Sequence, residues 1–222
     1  MSYGINTRCI YGEEREQGDE KHYGALSYPI YQTATFQHPQ VGVSSGYDYS
    51  RLSNPTRNQL ESVVASLEKG THAYAFSSGM AAITVAMEIF SQGAHIIAGD
   101  DLYGGSVRLF DNISRKNGYE VEYVDTSRED VEKYIRPETK AVYIETPTNP
   151  MMNVTDIAKV AEITKKHGIL LIVDNTFLSP YLQNPLELGA DIVIHSGTKF
   201  LCGHNDTLSG FVVVKDEALA DR

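Results

Sequence analysis

The chain has 222 residues, 41% of them hydrophobic, which is enough for one large α/β domain, or a domain with a short appendage, to bury a sizeable core. Its formal net charge is −10, with acidic residues scattered and no basic stripe, so nucleic acid is not an expected partner. No apolar run is long enough to span a bilayer and the opening MSYGINTRCIYGEEREQGDEKHYG has no apolar leader core, so a soluble, cytoplasmic protein without membrane partners is expected.

A polar arm runs to about Ser53. Beyond it, helix-like and strand-like runs alternate, as a parallel βαβ sheet requires. The first amphipathic stretch, 56–68, follows the helix-favouring NPT; the strand AYAFSS (73–78) and a helix over 80–90 come next. HIIAGD (95–100) leads to a helix over 106–117, and VEYVD (121–125) and AVYIET (141–146) follow as strands. A helix over 155–166 ends in a His-Gly stop before the strands ILLIVD (169–174), DIVIHS (191–196) and GFVVV (210–214). Seven strands predict a wide, mostly parallel sheet whose crossovers are long enough to be right-handed. The chain stops in KDEALADR, a helix-like start without a finish. Cys9 and Cys202 are far apart and lack metal-ligand spacing, which indicates neither a disulfide framework nor a metal site.

Ligands of open α/β sheets gather outside the carboxyl ends of the strands, so the polar residues falling there are the site candidates. FSSGM would aim the N–H groups of Gly79 and Met80 at an anion such as a phosphate, although a tight turn alone explains the small residues equally well; the Gly-rich dinucleotide fingerprint is absent. Asp174 ends a strongly apolar strand, where a protonated ring nitrogen would relieve its desolvation and a turn or cap aspartate is the plainer alternative. HSGTK presents the hydroxyls of Ser196 and Thr198 and the amine of Lys199 from one strand end, suited to a phosphate and a carbonyl, while a solvated surface lysine is the ordinary reading. Tyr103, after another strand, could lay its ring on a planar cofactor or simply pack. Together these parts describe a flat heterocycle bearing an aldehyde, a basic nitrogen and a phosphate, which is pyridoxal 5′-phosphate.

The motifs YSRLSNPT, SSGMAAI, GDDLYGG, ETPTNP, VDNTF and HSGTKFLCGH, in that order over nearly the whole chain, resemble the pyridoxal-phosphate enzymes of cysteine and methionine metabolism, which include cystathionine γ-synthase, the cystathionine lyases and methionine γ-lyase. The resemblance implies the large domain of the aspartate aminotransferase-like fold (fold type I). It implies that Lys199 forms the internal Schiff base and shuttles protons, that Asp174 pairs with the pyridinium nitrogen, and that Tyr103 stacks on the ring and acts on the departing group. Gly79, Met80, Ser196 and Thr198 would form the phosphate cup, and Asn149 would stand beside the ring oxygen, although Asn-Pro is also an ordinary turn. Tyr49 and Arg51 would reach the phosphate of a neighbouring subunit, making residues 1–53 an arm, 54–222 the cofactor-binding domain, and the assembly a homodimer or a homotetramer built from two dimers. The implied reaction is elimination or replacement at Cβ or Cγ of a sulfur-containing amino acid or activated homoserine. Such enzymes are nearly twice as long, so the C-terminal small domain, with the arginine that holds the substrate carboxylate, is expected to be absent here; the alternative function is a non-catalytic remnant that at most binds the cofactor or a partner.

Overall fold

The computed structural model describes residues 3–12, 22–23 and 25–222, which divide into two compact units, Met1–Leu67 and Glu68–Arg222. The first contains helix α1 (Ile5–Tyr11) and nearly all of α2 (Pro55–Glu68). Between them, side-chain hydrogen bonds order the chain. Asn54 Nδ2 donates to the Tyr31 carbonyl (3.1 Å) and Ser50 Oγ (2.8 Å), and the Tyr31 N–H donates to Thr56 Oγ1 (2.8 Å). Arg57 donates to the carbonyls of Ser50 (2.9 Å) and Leu52 (2.6 Å). The Thr56 N–H donates to Asn54 Oδ1 (2.9 Å), the local bond that makes NPT a helix start. These bonds tie α2 to the segment before it, and the first compact unit runs through Leu67.

The second unit is built on a seven-stranded sheet in the order β1-β7-β6-β5-β4-β2-β3. Its strands are β1 (His72–Phe76), β2 (His95–Gly99), β3 (Glu120–Val124), β4 (Thr139–Glu145), β5 (Leu170–Asp174), β6 (Ile192–Ser196) and β7 (Gly210–Val214). All seven lie where the apolar runs predict them, within two residues at each end. The pairs β3–β2, β2–β4, β4–β5 and β5–β6 are parallel. The departure from uninterrupted βαβ order is β7, which inserts antiparallel between β6 and β1 after a loop over 197–209. Every residue of β2 and β7 is buried, which explains the apolar sequence of β7 and of β2 after His95.

One face of the sheet packs Ile96, Ala98, Tyr143, Ile172 and Ile194 against Ala82, Ile83 and Met87 of α3 (Gly79–Met87) and against Phe110. Phe110 meets the ring of fully buried Tyr143 edge-on, with centroids 5.2 Å apart. Ser78 caps α3 by accepting the Ala81 N–H (3.1 Å), and Asp156 caps α5 (Ile157–His167) through the Lys159 N–H (3.1 Å), contacts each worth about 1 kcal/mol. The helix predicted over 106–117 is a short α4 (Gly104–Leu109) that widens into a π turn, Phe110–Ser114, seating Phe110 in the core. Between β5 and β6 lie a further short helix, α6 (Ser179–Leu182), and a 3-10 turn, Pro185–Leu188. Among the described residues no helix is long and apolar enough to cross a membrane.

Candidate active site

The carboxyl ends of β4, β5 and β6 and the turn from β1 into α3 open into one pocket. Gly79, Met80, Asp174 and Lys199 line it, together with Tyr103, Asn149, Ser196 and Thr198. Eight of the ten residues singled out by sequence are thus brought together. The other two, Tyr49 and Arg51, belong to the first unit, where the Arg51 guanidinium carbon lies 4.9 Å from the Tyr49 ring centroid.

The turn into α3 is built for close approach. A Cβ on Gly79 would stand 2.7 Å from the Ser196 Cβ, so a side chain there would push the turn off β6. The N–H groups of Gly79 and Met80, at the first two helical positions, have no acceptor within the helix and suit an anion. Ser196 lies beside them with its N–H bonded to Thr176 Oγ1 (2.8 Å). The Thr198 hydroxyl donates to the Ser209 carbonyl (3.3 Å) and accepts the Ser209 N–H (3.2 Å), which fixes its direction.

Asp174 is buried on β5, and burial raises its pKa; the Thr176 hydroxyl and N–H (2.5 and 3.0 Å to Oδ1), the charge of His195 and the Tyr143 hydroxyl (3.4 Å to Oδ2) oppose the rise. Its register partner on β4 is Glu145, which shares the pocket. Burial, then the charge of Asp174, then that of Asp101 push the Glu145 carboxyl up to about 8, against the Tyr103 N–H (2.8 Å to Oε2) and the Asn149 N–H. Among the described residues neither carboxyl forms an ion pair, and Lys199 on the same wall has none either, so an amine and two acids share a pocket without neutralising one another.

Tyr103 stands just before α4 with 45% of its surface exposed. Its ring lies over Gly105, where a Cβ would come within 2.4 Å of Cε1; the Gly-Gly that follows Tyr103 in sequence makes room for the ring. Glu145 and Thr176 were not singled out from sequence. The signal for Glu145 was nonetheless present: like Asp174 it is an acid closing an apolar strand. Thr176 lies two residues past Asp174 in VDNTF, the spacing at which a hydroxyl and N–H turn back onto an aspartate.

The family described as Cys/Met metabolism PLP-dependent enzyme matches residues 6–222. The chain is 55% identical to the cystathionine γ-lyase of Bacillus subtilis over 92% of its own length and 54% of that protein's. It is 48% identical to the cystathionine γ-synthase of Haemophilus influenzae, over the whole chain and 60% of the relative. In structure it matches the cystathionine γ-lyase of Lactobacillus plantarum complexed with L-serine, with a TM-score of 0.92 and 45% identity, over 99% of this chain and 57% of the other. The chain therefore spans a little over half the length of these relatives. With the match running from Asn6 to the last residue and the pocket residues all within it, the chain belongs to the Cys/Met metabolism PLP-dependent enzyme family.

Proposed function

We propose that this chain carries the cofactor-binding half of a cytoplasmic enzyme for elimination or replacement at Cβ or Cγ of sulfur-containing amino acids or activated homoserine, with Lys199 as its covalent anchor for pyridoxal 5′-phosphate. The observation that carries this reading is the meeting of Asp174, Lys199 and the free N–H groups of the Gly79 turn in one pocket. The residues fit the cofactor: the Gly79 and Met80 N–H groups with the Ser196 hydroxyl suit a phosphate, joined by the Thr198 hydroxyl once it turns from the Ser209 carbonyl, and Asn149 suits a ring oxygen. Asp174, desolvated and without an ion pair among the described residues, suits a protonated ring nitrogen. When bound, pyridoxal phosphate supplies an aldehyde that captures amines and a ring that accepts the electron pair left at the substrate α-carbon.

The chain supplies the rest. Asp174 would hold a proton on the ring nitrogen, Lys199 Nζ would anchor the cofactor and move the substrate α-proton, and Tyr103 would pack its ring against the cofactor and supply a proton from its hydroxyl to the leaving group. Tyr49 and Arg51 serve the phosphate of a second subunit in a homodimer or a tetramer of two dimers. A phenol beside a guanidinium that has no acidic partner among the described residues supports that role. Exposed, unbridged Cys9 agrees with a reducing compartment. Borohydride reduction of the loaded chain followed by peptide mapping tests the reading: the label is expected on Lys199, and label elsewhere, or none on the folded chain, rejects it. Mixing Arg51→Ala with Lys199→Ala protein tests the shared site, since hybrid dimers with one intact site should recover label incorporation that Arg51→Ala alone has lost.

A further inference from the structure

Two loops leave the carboxyl ends of the neighbouring strands β2 and β4, and each is held by a carboxylate rooted in the other. The loop after β2 carries Tyr103. Its Asp101 reaches across to the loop that carries Asn149, where Oδ2 accepts from the Thr148 hydroxyl, the Met151 N–H (3.1 Å) and the Asn153 side-chain amide (3.4 Å). Thr148 Oγ1 in turn accepts the Asn153 N–H (2.8 Å). In the opposite direction Glu145, the last residue of β4, accepts the Tyr103 N–H (2.8 Å), and the Asn149 N–H faces the same carboxyl.

We propose that Asp101 and Glu145 are positioning residues: a crossed pair of carboxylates that locks the Tyr103 and Asn149 loops to each other and so sets where both side chains stand on the pocket wall. Their bonds run to N–H and hydroxyl donors, which are directional, instead of to a lysine or arginine that could swivel. Asp101 and Thr148 are 47 residues apart, beyond the reach of any local turn, so only such a cross-tie couples the loops. The assigned role rests on the reading of Tyr103 and Asn149 given above, whereas the clasp stands on the hydrogen bonds alone.

Amide hydrogen exchange on the cofactor-free 222-residue chain reads the clasp directly. Asp101→Ala should speed exchange at Met151 about tenfold or more, and Glu145→Ala should do the same at Tyr103, each on the loop opposite the one altered. Glu145→Gln, whose side-chain oxygen still accepts an N–H, should restore slow exchange at Tyr103. If an alanine variant fails to fold, Thr148→Val carries the same test, with faster exchange expected at Asn153. Unchanged protection at Met151 in Asp101→Ala, or at Asn153 in Thr148→Val, overturns the clasp. The positioning role is read from the visible circular dichroism of bound pyridoxal phosphate, which should lose amplitude in both alanine variants and regain it in Glu145→Gln; amplitude unaffected while exchange accelerates reduces the clasp to loop architecture and overturns the role. Failure of Lys199 labelling in the unaltered chain would reject the proposed function and leave the exchange result to decide the clasp.

Discussion

The two ends of the same sheet treat charge in opposite ways. At the amino ends of β2, β3 and β4, acids meet cations and donors. Arg136 lies 2.9 Å from Glu120 and 3.1 Å from Glu122, and buried His95 joins Thr139 (2.8 Å) to Glu122 (3.3 Å). At the carboxyl ends of β4 and β5, Glu145 and Asp174 sit side by side in register, are more deeply buried than Glu120 or Glu122, and form no ion pair among the described residues. Two acids buried side by side disfavour their own ionisation, so the carboxyl end bears a cost that protonation, as at Glu145, or a donor beside the carboxylate relieves. The amino end pairs its charges, and the carboxyl end leaves two acids facing a pocket.

The sharpest way to break this contrast is Asp174→Asn. It should weaken pyridoxal phosphate binding by roughly 10- to 100-fold, the worth of a charged hydrogen bond, while leaving the unfolding free energy of the cofactor-free chain within about 1 kcal/mol of its original value. Titration by visible absorbance and denaturant melts read the two numbers; a large loss of stability with little loss of affinity would make Asp174 a structural acid. Next in size is Gly105→Ala. The added Cβ must displace the Tyr103 ring, and cofactor affinity should fall roughly 2- to 10-fold, the range of an aromatic stacking contact. Unchanged affinity would mean that the ring does not touch the cofactor.

A third prediction concerns pH. Glu145 titrates near 8 when folded against an ordinary 4.5, so the folded chain holds the extra proton between those values and the unfolded chain does not. Its contribution to stability is therefore complete below about 4.5 and is lost as pH rises through about 8, and Asp174, also raised, adds a loss of the same sign. Denaturant melts of the cofactor-free chain at pH 5, 6.5 and 8 should show declining stability, and Glu145→Gln should flatten that decline. The smallest effect is expected at the amino end: Arg136→Ala breaks two exposed ion pairs and should lower the unfolding midpoint by roughly 3 °C or less, with cofactor binding unchanged.

The strands were legible in sequence because short runs of three to five apolar residues bounded by turns, or the alternation of VEYVD, have few other uses in a chain of this composition. The acid at the end of ILLIVD and the lysine behind HSGT were legible for a related reason, since a polar group after an apolar run must emerge at the strand's end. What escaped was set by long-range contact. The antiparallel direction of β7 depends on the loop over 197–209 folding back, and GFVVV reads the same in either direction. The π turn at Phe110–Ser114 answers to the Tyr143 ring, 33 residues away in sequence and invisible to local periodicity. The role of Asp101 was hidden likewise, because its partners lie 47 to 52 residues downstream.

The insertion of β7 also imposes a schedule. Among the described residues β1 is an edge strand paired with β7 alone, and a Cβ on Gly210, the first residue of β7, would lie 2.0 Å from the Ser78 carbonyl oxygen, so the turn ahead of Gly79 rests on it. On a ribosome, β1 and that turn emerge long before the backbone that pairs with one and supports the other. At common elongation speeds the wait is roughly 7–27 s. Through that interval the strand HAYAF lacks its β7 partner and lies exposed to chaperones and to neighbouring nascent chains, and the turn into α3 gains its support only once Gly210 has been made.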